Sequence, residues 1–101
     1  MNESKIIQIK NTVTKIDIGK INVYLQEHST SKTLKEIIRY SKKIPESNDE
    51  KTVFKLGVKI AYNLDTICDL DKAGYVKNEA EKKDWLEISE ELFKHTTGKK
   101  K

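Results

Sequence analysis

One cysteine and two histidines are the chain's whole stock of the side chains that most often attack, shuttle protons or ligate metals. Cys68 has no second thiol for an intrachain disulfide and cannot build a thiolate zinc cluster. Its sequence neighbours Ala61, Leu64 and Ile67 mark it as a small buried hydrophobe. His28 and His95 stand far apart, with no Cys or His at ligand spacing from either. Walker, GxGxxG, HExxH and GxSxG patterns are absent. The expectation is a protein that is not an enzyme, with no catalytic residue, no metal and no cofactor.

The chemistry open to these residues is electrostatic. Residues 32–43 hold Lys32, Lys35, Arg39, Lys42 and Lys43 against Glu36, and the chain ends in Lys99, Lys100 and Lys101. The net charge is +4 and the pI about 9.1. By contrast, residues 61–74 set Asp65, Asp69 and Asp71 against Lys72. A segment so one-sided suits nucleic acid or another acidic partner. A solvated helix face would carry the same charges, so charge alone does not choose.

The elements that must position these charges follow from pattern. At 101 residues the chain can bury one modest core. No apolar run approaches the roughly 18–20 residues of a membrane span, and no signal peptide opens it, so a soluble, cytoplasmic protein with no membrane partner is expected. Residues 1–16 form an arm of ambiguous period: Ile7 and Ile9 alternate as in a strand, while Ile9, Val13 and Ile16 fit a helix. Its apolar side needs cover, which makes it a candidate dimerisation element. Asp17 can cap a helix with Ile18, Ile21 and Leu25 on one face. Thr33 and Glu36 have capping-box spacing before a helix whose inner stripe is Leu34, Ile37, Ile38 and Ser41, and Pro45 stops it. Ser47 and Glu50 repeat the capping spacing before a long helix with Val53, Gly57, Ile60, Leu64 and Ile67 on one face. Gly57 in that stripe points to close backbone approach, and Gly74 to the helix end. Tyr75–Lys77 and Trp85–Ile88 then suggest two antiparallel strands, with 78–84 between them and Ser89 capping a last short helix. Residues 96–101 are expected to be a disordered basic tail.

That order of elements, with "TLKEIIRYS" and "LDTICDLDKAGYVKNEAEKKDWLEISEEL", resembles the winged helix-turn-helix family. The expected fold class is mainly α with a small β-hairpin (α+β), the winged domain covering residues 17–95. In length, composition and layout the chain also looks like relaxosome accessory proteins of the TcpK type on clostridial conjugative plasmids. The resemblance implies sequence-specific binding of double-stranded DNA at a plasmid origin of transfer during conjugation. The partners it implies are a homodimer mate and a relaxase or other DNA-processing protein. A small transcriptional repressor of the same fold, and a phage or plasmid inhibitor or immunity protein that binds no DNA, are the alternatives.

Residue by residue, the resemblance places Lys77, Asn78, Lys82 and Lys83 on the wing as base readers. Lys55, Lys59 and Asn63 on the third helix are the competing readers, lysine suiting guanine and asparagine adenine. Lys35, Arg39, Lys42 and Lys43 would hold phosphates and set register. Arg39 is the only arginine, so the commonest guanine contact is scarce. Trp85 is expected half in the core and half at the wing base, rather than stacked on a base.

Overall fold

The computed structural model describes residues 2–69 and 75–97. Its helices begin where short polar side chains can cap them. Asp17 accepts a hydrogen bond from the Lys20 amide at 3.1 Å, starting α2 (Ile18–Glu27) after a first helix, α1 (Asn2–Val13). Ser31, not Thr33, caps α3 (Lys32–Lys43), its hydroxyl accepting from Leu34 N at 3.2 Å. Asp49, not Ser47, caps α4 (Glu50–Ile67), accepting from both the amide and the hydroxyl of Thr52. Both donors reach one carboxylate oxygen, Oδ2, whose negative charge strengthens each bond beyond what a neutral hydroxyl would give. The Thr52 hydroxyl, contributing most, and the Thr52 amide hold the Asp49 carboxyl below its ordinary range.

Pro45 ends α3 differently from the expectation. Ile44 keeps right-handed helical angles, and the chain tightens into a 3-10 turn, Ile44–Glu46, with the proline in its first positions. There the missing N–H costs nothing.

The largest correction concerns the wing. Among the described residues there is no strand: Trp85–Ile88 lies inside α5, a single helix of 19 residues, Glu79–Thr97. The winged helix-turn-helix and its α+β class are therefore overturned in favour of an all-helical fold. The physical reason is periodicity on a longer window. Trp85, Ile88, Ser89, Leu92 and Phe93 are buried at helical spacing, and residues 79–83 before them are mostly strong helix formers. Asn78 accepts from the Glu81 amide at 3.1 Å and so starts this helix. Ser89, expected as a cap, sits within it and donates to the Ala61 carbonyl at 2.8 Å. Tyr75–Lys77 precedes the helix without regular structure, with Val76 fully buried. Gly74 and Asp71 lie outside the described residues, as do tail residues 98–101; Thr96 belongs to α5.

α4 is the central helix. Val53, Leu56, Gly57, Ile60, Ala61, Leu64 and Ile67 are buried along it, burial worth roughly 1.5–3 kcal/mol for each large aliphatic side chain. α5 runs antiparallel to it: Cys68 meets Lys82 near one end, Ala61 meets Ser89, and Gly57 lies against Thr96 near the other. α3 packs antiparallel on the other flank, Glu36 beside Asn63 and Tyr40 beside Lys59. α1 lies across α4 and α5, burying Ile9 and Val13, with Ile16 buried just beyond its end. The arm's apolar side is thus covered by the chain's own helices, with Ile7 left exposed. No dimer is needed to cover it.

Candidate nucleic-acid interface

The α3–α4 pair forms a helical hairpin whose outer surface is cationic. α3 buries Leu34, Ile37, Tyr40 and Ser41, which turns Lys32, Lys35, Arg39, Lys42 and Lys43 outward. α4 buries the stripe described above and exposes Lys51, Lys55 and Lys59 at i, i+4 and i+8. Antiparallel packing brings the two rows together. The Arg39 guanidinium lies 5.1 Å and the Lys59 ammonium 5.7 Å from the centroid of the Tyr40 ring. Arg39 also donates to the Tyr40 hydroxyl at 3.3 Å. Two cations from different helices are thus drawn to one ring that is itself only 9% exposed. The negative ring face offsets part of their mutual repulsion.

Two acids within this hairpin are occupied, while Glu46 and Glu50 lie at its turn. Glu36 accepts from the Asn63 amide at 3.3 Å, and Asp49 is spent on capping. A shallow cleft beside α3 is lined by Lys32, Lys35, Glu36 and Arg39. α5, on the opposite flank of α4, is acidic: Glu79, Asp84, Glu87 and Glu90 are exposed there with Lys83 and Lys94. Among the described residues, the outer surface of the α3–α4 hairpin is therefore positive and the exposed face of α5 weakly negative.

The expected site residues divide sharply. Lys35, Arg39, Lys42 and Lys43 are exposed together on α3, and Lys55 and Lys59 join them from α4. Asn63 shares their side of the helix but is half-buried and committed to Glu36. The four wing residues form no finger. Lys77 is exposed ahead of α5, Asn78 caps it, and Lys83 is exposed on its surface. Lys82 is only 5% exposed, with its ammonium 3.5 Å from Glu79. Trp85, 3% exposed, is a core residue that meets Tyr24 edge to face. Lys51 and Tyr40 were missed by sequence reasoning. Lys51 had a signal, its four-residue spacing to Lys55 and Lys59. Tyr40 had none, because Lys59 reaches it only through tertiary packing.

The remaining polar clusters are structural in their geometry. Glu91 receives Lys15 at 3.1 Å and the Thr12 hydroxyl at 3.3 Å, both from the α1 side, with His95 Nε2 3.8 Å away. Burial opposes its ionisation, but the Lys15 hydrogen bond and charge, Thr12 and His95 together hold the carboxyl below its ordinary range. Tyr24 donates to Glu81, which also pairs with Lys20 at 3.2 Å, fastening α2 to α5. That hydrogen bond, then burial and the Glu81 and Glu27 charges, push the Tyr24 phenol up to about 12. Burial, with the Asp65 charge, pushes the Cys68 thiol up to about 11. Its nucleophilic thiolate is suppressed. Among the described residues no group of three or more His, Cys, Asp and Glu side chains is placed to hold a metal ion, and no helix is long and apolar enough to cross a membrane. Comparison with protein-family models, with curated proteins and with solved structures finds no match to this chain.

Proposed function

We propose that the chain binds double-stranded DNA through the cationic face of the α3–α4 hairpin, chiefly by its phosphates. The observation that carries this is the convergence of Arg39 and Lys59 on Tyr40, which builds one cationic surface from two helices. Lys32, Lys35, Lys42, Lys43, Lys51 and Lys55 extend it in both directions. Such an array gains affinity by releasing counterions from the duplex, which requires no base contact.

Base discrimination has few candidate readers on this face. The Asn63 amide is engaged by Glu36, and the one arginine is held against Tyr40. The hairpin finger that would have entered a second groove is replaced by α5. Binding is therefore proposed to be tolerant of sequence, and the origin-of-transfer role, which rested on a resemblance in length, composition and layout, is not part of this proposal.

The test is a fluorescence-anisotropy titration of a duplex with charge-reversal pairs. Lys35→Glu with Arg39→Glu should abolish binding at moderate salt. Lys83→Glu with Lys94→Glu, equal in charge change but on α5, should weaken it only slightly. Equal losses from both pairs would reduce the effect to net charge and refute the face. No binding by the wild-type chain would favour an acidic protein partner instead.

A further inference from the structure

We infer that Tyr62 is a stacking platform for an unpaired base, so that the preferred nucleic acid is a duplex with an adjoining single-stranded segment. This rests on the proposed cationic face and extends it along α4. Tyr62 is 47% exposed, the one exposed aromatic ring among the described residues. The other rings are less exposed: Trp85 and Phe93 are in the core, Phe54 is half-buried against it, Tyr24 is bound to Glu81, Tyr75 lies against His28, and Tyr40 lies under two cations.

Position is the stronger argument. Tyr62 follows Lys59 by three residues and Lys55 by seven, so it continues the same exposed stripe. Its rise along the axis is about 4.5 Å beyond Lys59 and about 10.5 Å beyond Lys55. A strand whose phosphates sit on those lysines would pass its next bases over the ring. The ring is also braced. It meets Phe93 at 4.9 Å between centroids and 81° between planes, an edge-to-face contact with a side chain fixed in the core. A braced ring loses little freedom when a base stacks on it. Cations interleaved with an exposed aromatic are the usual equipment for holding single strands, where stacking tolerates any base.

The experiment compares two fluorescent probes, a blunt duplex and the same duplex carrying a short single-stranded tail. Wild-type protein should bind the tailed probe at least about fivefold more tightly, the lower end of one stacked base. Tyr62→Phe should keep that preference. Tyr62→Leu, which still covers Phe93 but has no π face, should lose it while blunt-duplex affinity stays within about twofold. A wild-type protein with no preference for the tail, or a preference that survives Tyr62→Leu, would overturn the stacking role while leaving the cationic face standing. Failure to bind either probe would remove the cationic face and the stacking role together.

Discussion

Replacing Gly57 with alanine probes the place where three helices touch. A Cβ at this position would sit 3.0 Å from Cγ2 of Thr96 on α5 and 3.3 Å from Cγ2 of Ile9 on α1. Two effects oppose each other. Alanine in a helix interior is favoured over glycine by about 0.8–1.0 kcal/mol. Overpacking a filled site costs about 1–3 kcal/mol. The neighbours decide the sign. Ile9 is fully buried and cannot retreat into solvent. Thr96 can turn its methyl away only by giving up its hydroxyl's 2.8 Å hydrogen bond to the Leu92 carbonyl, itself worth about 1 kcal/mol. Gly57→Ala should therefore destabilise by about 1 kcal/mol net, a fall of roughly 4–8 °C in midpoint for a chain of this size. Thermal unfolding followed by far-UV circular dichroism reads it. In a Thr96→Ser background, which removes the methyl and keeps the hydroxyl, the same substitution should cost less than half as much. A midpoint that rises with alanine would refute the close approach, and so would equal costs in the two backgrounds. Either result would also remove the Gly57–Thr96 contact as the place where the end of α5 packs on α4.

Other outcomes follow from the buried and paired groups. Glu91 has a folded-state pKa below the ordinary carboxylate value of 4.5, so its contribution is present above that value and lost as pH falls through the folded one. Glu91→Gln should flatten the acid limb of a stability profile while leaving α1 docked by Ile9 and Val13; an unchanged acid limb would show that the Lys15–Glu91 pair contributes nothing. Tyr24 has the opposite sign: its contribution is present below pH 10 and lost as pH rises through about 12. Ultraviolet titration should find the Tyr24 phenol ionising late, and Glu81→Gln should bring it back toward 10. Cys68, held near 11 and buried, should resist a thiol reagent in the native protein and react at once in denaturant. Rapid native labelling would place it at the surface.

The hairpin that carries the cations was legible from the chain itself. Leu34, Ile37 and Ser41 on one helix, and Val53, Gly57, Ile60 and Leu64 on the next, repeat at helical spacing over several turns and are buried as that spacing demands. The lysines are then exposed by exclusion. Two things were not legible. The first was α5: a four-residue window at Trp85–Ile88 looks β-like because tryptophan and isoleucine favour strands, and only the window out to Phe93 reveals the helical repeat. The glycine-tyrosine-valine stretch before it encouraged a hairpin, yet Val76 is buried without a strand partner among the described residues. The second was the electrostatic centre. Lys59 is separated from Arg39 and Tyr40 by a whole helical turnaround, and nothing in sequence tells a tyrosine that will receive a lysine from one that will not. Caps showed a milder form of the same problem. Thr33 and Ser47 had the right spacing to a glutamate, but Ser31 and Asp49, each two residues earlier or later, held the backbone donors.

The most direct test of the cationic face is the salt dependence of duplex binding for the wild-type chain and for Arg39→Ala with Lys59→Ala. With Lys32, Lys35, Arg39, Lys42, Lys43, Lys51, Lys55 and Lys59 available, the slope of log affinity against log salt can reach about −7, each phosphate neutralised adding about −0.9. The double variant should lose about 2 from that slope, and lose affinity by the same factor on unrelated duplex sequences. A slope that the double variant leaves unchanged, or a loss confined to one sequence, would contradict phosphate binding by the α3–α4 face.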